Sequence, residues 1–169
     1  IVSVDNKRVA VELDEILKDN EYAKAYNLAL SLISFKLRTE EEVKKYLEKK
    51  EIDENVIEEI IKRLKKEKYL NEEVYIHAFV TDKVNLSNHG PIKIKNELIK
   101  KGFDENNVNK EIEKIEEDIW KEKIEKIIFR KVKNNKKLST EALKQKIKTD
   151  LITLGYPYNM IEELLIIEQ

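Results

Sequence analysis

Residues 90–103 read GPIKIKNELIKKGF, and this stretch decides the fold. Pro91 suits the first position of a helix, where its missing N–H would have no partner in any case. Ile94 and Leu98 follow four residues apart and share one helix face. Gly102 suits the residue after the helix, where a left-handed conformation is wanted. The stretch therefore predicts a short amphipathic helix with a defined start and a defined end.

The same pattern recurs on both sides, with Leu47, Leu98 and Leu151 in register at offsets of 51 and 53 residues. Asp-Glu-Asn recurs at 53–55 and 104–106, and Gly102 aligns with Gly155. A unit of three short helices buries its faces poorly alone, so neighbouring units should stack in series. Five columns are apolar in all three copies, namely Val43/Ile94/Ile147, Leu47/Leu98/Leu151, Ile52/Phe103/Tyr156, Ile57/Val108/Ile161 and Ile61/Ile112/Leu165.

Capping signals divide the chain into helices. Thr39 followed by Glu42 is a capping box, in which each side chain bonds the other residue's backbone N–H. Asp53, Asn71 and Asp104 are expected to open further helices, and Pro157 the last one. We therefore predict an all-α protein of three tandem three-helix repeats in an elongated array. The predicted boundaries are 14–70, 71–118 and 119–169.

Residues 1–13 show a different pattern. Val2 and Val4, and then Val9, Val11 and Leu13, alternate with polar residues around 5–8, which predicts a β-hairpin. An isolated hairpin is marginal in water. It would therefore pack on the helices or be the remnant of a larger N-terminal sheet. The sequence begins at Ile1 without a methionine, so we expect a preceding segment.

Composition narrows the class of protein. Hydrophobic residues make up 41% and charged residues 40%, which suits an elongated helical protein with thin buried layers. The absence of cysteine excludes disulfides, thiol catalysis and cysteine-bound zinc. The sequence contains no apolar run of membrane-spanning length and no signal peptide, so we expect a cytoplasmic protein and no membrane partner.

Nothing in the sequence points to catalysis, a cofactor or a metal. His77 and His89 are the only histidines, and their spacing does not resemble a metal site. The Glu40–Glu42 run is explained by helix capping and by the helix dipole. No phosphate-binding loop and no Ser-His-Asp set is present. Trp120 falls on an apolar face and is expected in the core. We therefore expect a protein that is not an enzyme.

Lysine clusters are the candidate binding sites. The second repeat carries Lys93, Lys95, Lys100 and Lys101, and the first repeat has a similar set at 44, 45, 49 and 50. Each cluster is either a solvated helix face or one wall of a groove for an acidic or phosphate-bearing filament. The expected contact residues are Arg38, Lys44, Lys45, Lys93, Lys95, Lys100, Lys101, Arg130, Lys131, Lys133, Lys136 and Lys137.

The strongest local charge lies between Lys121 and Lys148. Eleven Lys and Arg stand there against three Glu, a difference of +8, although the whole chain has a net charge of −1. The stretch is either a solvated linker around 134–137 or a surface for the DNA backbone. Only four of the chain's basic residues are arginine, and lysine reads base edges poorly. Any DNA contact should therefore be independent of sequence.

Several stretches in phase with the repeat resemble the RecX family. Residues 25–30 (AYNLAL) and 37–43 (LRTEEEV) are similar to its first unit. Residues 68–73 (KYLNEE) resemble the signature Gly-Tyr-Leu-(Asp/Asn)-Asp-Glu, and 90–102 resemble Gly-Pro-x-(Lys/Arg)-Ile-x-x-Glu-Leu-x-x-Lys-Gly. The resemblance covers about residues 20–169. Glu51 and Lys68 stand where the family has glycine, so the turn at Glu51 should be strained or differently formed. Arginines common in the family are mostly lysines here.

The resemblance implies a regulator in homologous recombination, DNA repair and the SOS response. Such a protein binds RecA and the RecA–DNA filament, and inhibits RecA ATPase, strand exchange or filament extension. We expect a monomer without cofactors that also contacts DNA directly. The alternative is a helical DNA-binding protein with helix-turn-helix-like units and no dedicated protein partner.

Overall fold

The computed structural model describes residues 4–135 and 139–165, and within those ranges it contains helices and no strand. The all-α prediction is thus confirmed, and the helices follow one another in three groups of three. The elements are α1 (Val4–Phe35), α2 (Glu40–Glu48), α3 (Glu54–Lys66), α4 (Glu72–Leu86), α5 (Pro91–Lys100), α6 (Glu105–Ile112), α7 (Glu117–Asn134), α8 (Thr140–Thr153) and α9 (Tyr158–Leu164).

The predicted caps begin the helices. Thr39 Oγ1 accepts from the Glu42 backbone N–H at 3.1 Å, and the Glu42 carboxylate accepts from the Thr39 N–H at 2.9 Å, which completes the capping box. Asp53 and Asp104 accept backbone N–H bonds at the starts of α3 and α6. Pro91 is the first residue of α5. Pro157 is the cap before α9 rather than its first residue, one position from the prediction.

The second helix of every repeat ends in the same hydrogen-bonded turn. In the first repeat Ile52 N–H donates to Leu47 O at 3.3 Å and Glu51 N–H donates to Glu48 O at 2.9 Å. The bond between residues five apart recurs in the other repeats, where the Phe103 N–H donates to Leu98 O and the Tyr156 N–H donates to Leu151 O. This is the Schellman arrangement, in which the bonded residues also make an apolar contact. Two of the five apolar columns therefore mark one repeated helix end.

These five columns form the core of the repeats. Thirteen of the fifteen residues are buried, and only Ile112 and Leu165 are half-buried. The first helices contribute in the same register, since Ala25 and Ile76 are buried 51 residues apart, as are Ala29 and Val80. The apolar columns read from periodicity are therefore core positions in all three repeats.

The chain divides into two compact units between Tyr75 and Ile76, inside α4. This division does not separate the second repeat from the third, and the three predicted boundaries stay a prediction.

In the first unit, an arginine packed on a tyrosine ring joins α1 to α3. The Arg63 guanidinium lies 3.8 Å from the centre of the Tyr26 ring, and its Nε donates to Glu67 at 2.8 Å. Tyr26 donates its hydroxyl proton to Glu67, and this bond raises the pKa of Tyr26.

In the second unit, two glycines bring the start of α5 against the end of α8. Gly90 N–H donates to Leu154 O at 2.7 Å, and Ile92 N–H donates to Gly155 O at 3.0 Å. A Cβ on Gly155 would lie 2.4 Å from the Lys93 backbone nitrogen. The free N–H groups of one helix start thus meet the free carbonyls of another helix end, which satisfies both. The second and third repeats are joined through backbone.

Lys123 makes a second connection between these repeats. Its Nζ donates to the carbonyls of Val84 at 2.5 Å and Ser87 at 2.8 Å, at the end of α4. Burial lowers the pKa of Lys123, and Lys126 acts in the same direction. A lysine from α7 therefore serves as the C-terminal cap of α4.

The hairpin prediction for residues 1–13 is wrong over Val4–Leu13, which belong to α1. Residues 1–3 lie outside the described residues. The alternating Val9, Val11 and Leu13 are 54–58% exposed, so they line no buried face. A hairpin needs a further sheet or core to be stable. A helix satisfies its backbone hydrogen bonds within the segment, and this segment continues directly into the buried part of α1.

Candidate functional site

The four lysines predicted to act together on α5 lie in different surroundings. Ile94 and Leu98 face the core, which places Lys93 and Lys100 on one flank and Lys95 on the other. Lys95 Nζ lies 2.6 Å from Glu105 Oε1 of α6. The backbone of Lys93 packs against Gly155. Lys100 is exposed and makes no ion pair with any residue that the structure describes.

The lysines of α2 are paired with glutamates of the same helix. Lys44 Nζ lies 2.8 Å from Glu40, and Lys45 Nζ lies 3.1 Å from Glu41. Lys65 also pairs with Glu40. Burial acts to raise the pKa of Glu40, but Lys44 and Lys65 outweigh it and lower that pKa. The local charge of α2 is therefore largely compensated.

Arg38 and Lys101 are the two remaining residues of this predicted set. Arg38 is half-buried, and its Nε has no hydrogen-bond partner among the described residues. Lys101 is the exposed C-cap of α5. Neither residue defines a site alone.

Much of the positive charge predicted between Lys121 and Lys148 is used inside the fold. Lys121 lies 2.9 Å from both Glu117 and Glu163, Lys131 lies 2.5 Å from Asp150, and Lys148 lies 2.6 Å from Glu162. These pairs tie α7 to α9, α7 to α8 and α8 to α9. The +8 surplus is therefore not one binding surface.

Two cations of that stretch remain exposed on α7. Arg130 and Lys133 form no ion pair with any residue in the described parts of the chain. Lys136 and Lys137, which were also predicted as contact residues, lie outside the described residues. Asn134 is helical, so the predicted linker at 134–137 begins at least one residue later. Arg130, Lys133 and, on α5, Lys100 are the predicted contact residues that are exposed and form no ion pair among the described residues.

Phe129 is a candidate residue that the sequence reasoning missed. Its side chain is 71% exposed, directly beside Arg130. Trp120, Ile124 and Ile127 are buried on the opposite side of α7. The signal was present in the sequence, because two residues beyond Ile127 a helix has turned about 200°. An exposed phenyl ring between cations is a typical element of surfaces that bind unpaired bases.

A small polar cluster lies between α4 and α6. Glu111 is only 9% exposed. Its carboxylate lies 2.6 Å from Lys114 Nζ and 2.6 Å from His77 Nδ1. The bond from Lys114 lowers the pKa of Glu111 most, and His77 lowers it further against the effect of burial. The described parts of the chain hold no group of three His, Asp or Glu side chains placed to bind a metal ion. They also hold no helix that is long and apolar enough to span a bilayer.

Comparison with known proteins identifies what this fold is similar to. The family model described as "RecX, first three-helix domain" matches residues 25–64, and "RecX, second three-helix domain" matches residues 71–110. The solved structure of RecX from Lactobacillus salivarius has a TM-score of 0.81 and 31% identity, covering 87% of this chain and 96% of that one. The chain belongs to the RecX family.

Further RecX proteins have the same relation to this chain. The regulatory protein RecX of Oceanobacillus iheyensis is 38% identical over 138 residues, which is 82% of this chain and 51% of the relative. That of Streptococcus agalactiae is 35% identical over 156 residues, 92% of this chain and 60% of the relative. A second RecX crystal structure has a TM-score of 0.84 at 23% identity and supports the fold. The chain spans between half and three-fifths of the two curated relatives.

Proposed function

We propose that this chain binds RecA and the RecA–DNA filament and inhibits RecA ATPase, strand exchange or filament extension. Membership of the RecX family carries this proposal, since the two family domains and the solved relative together span nearly the whole chain. We further propose that it acts in the cytoplasm and has no catalytic activity of its own. A regulator of this kind works by occupying a surface of its partner, so its affinity depends on exposed apolar and charged side chains.

The outer face of α5 is the proposed RecA contact. Ile92 and Ile99 are 47% and 37% exposed on the side away from Ile94 and Leu98, and the unpaired Lys100 lies on their flank. A partly apolar patch beside a cation suits a polar, wet protein interface. The backbone bonds of Gly90 and Ile92 hold the start of α5 against α8, which makes the face rigid.

The ATPase rate of RecA on single-stranded DNA, titrated with this chain, tests the proposal. We expect the rate to fall at amounts of the chain far below those that coat the DNA. Charge reversal at both Lys93 and Lys100 should remove most of the inhibition. Lys110→Glu is the matched control for Lys100→Glu, because Lys110 is also an exposed lysine in the last turn of a helix, α6. Equal inhibition by the α5 double variant would refute the α5 contact.

A second function is favoured by the exposed cations of α7. A helical DNA-binding protein without a dedicated protein partner would lower the ATPase rate only by covering the DNA. In the same titration, inhibition would then begin only when the chain saturates the strand. It would also fall steeply with added salt, as binding driven by counterion release does.

A further inference from the structure

One face of α7 carries an aromatic ring among cations, and we call Lys126, Phe129, Arg130 and Lys133 the α7 stripe. Lys126 and Lys133 lie three residues before and four residues after Phe129, so both neighbour its ring on the helix surface. Arg130 follows Phe129 directly and lies four and three residues from these two lysines, so it neighbours them on the adjoining flank. The buried residues of α7 point the other way. The ring of Phe129 is 71% exposed and packs into no core of the described chain.

The charge of the stripe is positive and becomes more so towards the end of α7. Arg130 and Lys133 have no acidic partner among the described residues. Lys126 pairs only with Glu122, at 2.5 Å, and both side chains are more than 60% exposed, so this pair is weak. Glu122 and Glu125 lie on the N-terminal side of the stripe, and residues 126–140 contain no acidic residue. A positive field therefore surrounds the ring on its C-terminal side.

A second helix and a groove extend this surface. Lys146 of α8 donates to Asn135 Oδ1 at 2.9 Å, which brings one more cation to the end of α7. At the other end, a groove between the end of α4 and α7 joins the stripe at Lys126, and it is lined by Ile119 and by Leu86, which is 82% exposed. The surface thus has apolar and cationic parts along its length, all within one compact unit.

We propose that the α7 stripe binds single-stranded nucleic acid, with one base stacked on Phe129 and the neighbouring phosphates on Arg130 and Lys133. An exposed ring on a helix can stack only on a base whose face is free, and duplex DNA hides those faces. The stripe has no Asn or Gln to read base edges, and its Arg130 is assigned to a phosphate, so binding is independent of sequence. This proposal deepens the proposed function, on which it rests, by assigning the surface that contacts the strand of a RecA–DNA filament.

Fluorescence anisotropy of the full chain with labelled oligonucleotides tests the stacking. The probes are (dT)15, a 15-nucleotide strand of abasic sites, and a duplex of the same length. We expect (dT)15 to bind more tightly than either of the others. Phe129→Ala should weaken (dT)15 binding about 5- to 150-fold, as loss of one stacked base does. It should also bring the affinity for (dT)15 down to that for the abasic strand.

Two variants complete the experiment. Phe129→Trp should keep the affinity for (dT)15, because indole also stacks. Phe35→Ala is the matched control, since Phe35 is also highly exposed, at 83%, but belongs to α1 in the other compact unit. The affinity of this variant should equal that of the unaltered chain. Unchanged binding in Phe129→Ala, tighter binding of the duplex, or equal loss in Phe35→Ala would each overturn the proposal.

The RecA ATPase assay separates this proposal from the proposed function. If the chain inhibits RecA ATPase but its binding to (dT)15 does not depend on Phe129, only the proposal for the α7 stripe is refuted. Phe129-dependent binding of (dT)15 without any effect on RecA refutes the proposed function alone. If Phe129→Ala instead weakens binding to RecA in the absence of DNA and leaves (dT)15 binding intact, the stripe contacts protein, and the nucleic-acid proposal is wrong.

Discussion

At Glu51 and Lys68 the backbone φ angles are 59° and 62°, in the left-handed region that favours glycine. They are the only residues other than glycine with positive φ in the described chain. Glu51 follows the second helix of its repeat, where Gly102 and Gly155 also have positive φ in the other repeats, and Lys68 follows the third helix, α3. An L-residue there costs about 1–2 kcal/mol. The family resemblance located both positions, because glycine is usual at each, and the turn at Glu51 is strained as expected.

We expect Glu51→Gly to raise the free energy of unfolding by about 0.5–1 kcal/mol. Relief of the left-handed strain exceeds the greater entropy that glycine gives the unfolded chain. Urea unfolding followed by circular dichroism measures the difference. Glu48→Gly is the control, since Glu48 is exposed and is the last residue of α2, where glycine costs up to about 1 kcal/mol. If both variants are destabilised alike, Glu51 is not strained.

Glu111 links stability to pH through its contacts with Lys114 and His77. Because its pKa is lowered in the folded state, the carboxylate stabilises the fold above the ordinary glutamate value of about 4.3. That contribution is lost as the pH falls through the folded-state value. Glu111→Gln should therefore cost roughly 1 kcal/mol at pH 7, and this cost should decrease as the pH falls from about 4.3 towards the folded-state value. Thermal unfolding of both proteins across this range measures it, and a pH-independent difference would contradict the linkage.

At the scale of the helix, local signals predicted well and long-range ones did not. The capping box at Thr39, the start of α5 at Pro91 and the end at Gly102 depend on residues within a few positions. The hairpin failed because alternation over 1–13 has the period of a strand but no sheet to join. The exposure of Phe129 could have been predicted from the helical period. The approach of Gly90 to Gly155 was not, because the two lie 65 residues apart and only packing brings them together.

Ion pairing is the other feature that the sequence did not reveal. The charges between Lys121 and Lys148 sum to a large positive value when counted along the chain. Lys131 and Lys148 pair with Asp150 and Glu162, which lie beyond the counted stretch or at its margin. A count along the sequence cannot assign such partners, since they come from neighbouring helices. The positive charge that stays exposed and unpaired at Arg130 and Lys133 in the described chain can therefore be found only from the packing of the helices.

Alanine substitutions at Gly102 and Gly155 separate the cost of backbone conformation from the cost of a steric clash. Their φ angles are 91° and 87°, but a Cβ on Gly102 would meet nothing within 4 Å, whereas one on Gly155 would strike Lys93. We expect Gly102→Ala to cost about 1–2 kcal/mol. Gly155→Ala should cost about 1–3 kcal/mol more, through overpacking between α5 and α8. Urea unfolding gives both values.

Gly90→Ala tests the steric contact with Gly155 without any change of backbone strain. Gly90 has an ordinary φ of −85°, yet an added Cβ would lie 2.5 Å from Gly155 O. A loss of about 1–3 kcal/mol is expected from overpacking without backbone strain. If Gly90→Ala is as stable as the unaltered chain, the close approach of α5 and α8 is not what holds the repeats together.

For the molecule as a whole, net charge and local charge predict different behaviour toward DNA. With a net charge of −1, the chain has no overall attraction for phosphates. Lys44→Gln/Lys45→Gln and Arg130→Gln/Lys133→Gln each change the net charge by −2, to −3. The first pair removes lysines already compensated by Glu40 and Glu41, and the second removes cations without a partner in the described chain. Any difference between the variants must therefore come from position.

We expect only the α7 double variant to lose affinity for (dT)15 and to lose salt dependence. Each phosphate contact on a single strand contributes about 0.7 to the slope of log affinity against log salt, so two contacts contribute about 1.4. Between 50 and 200 mM salt, the unaltered chain should then lose about sevenfold more affinity than the α7 variant. Anisotropy titrations at four salt concentrations give the slopes. Equal slopes for the two double variants would mean that net charge, and not the α7 surface, governs the attraction.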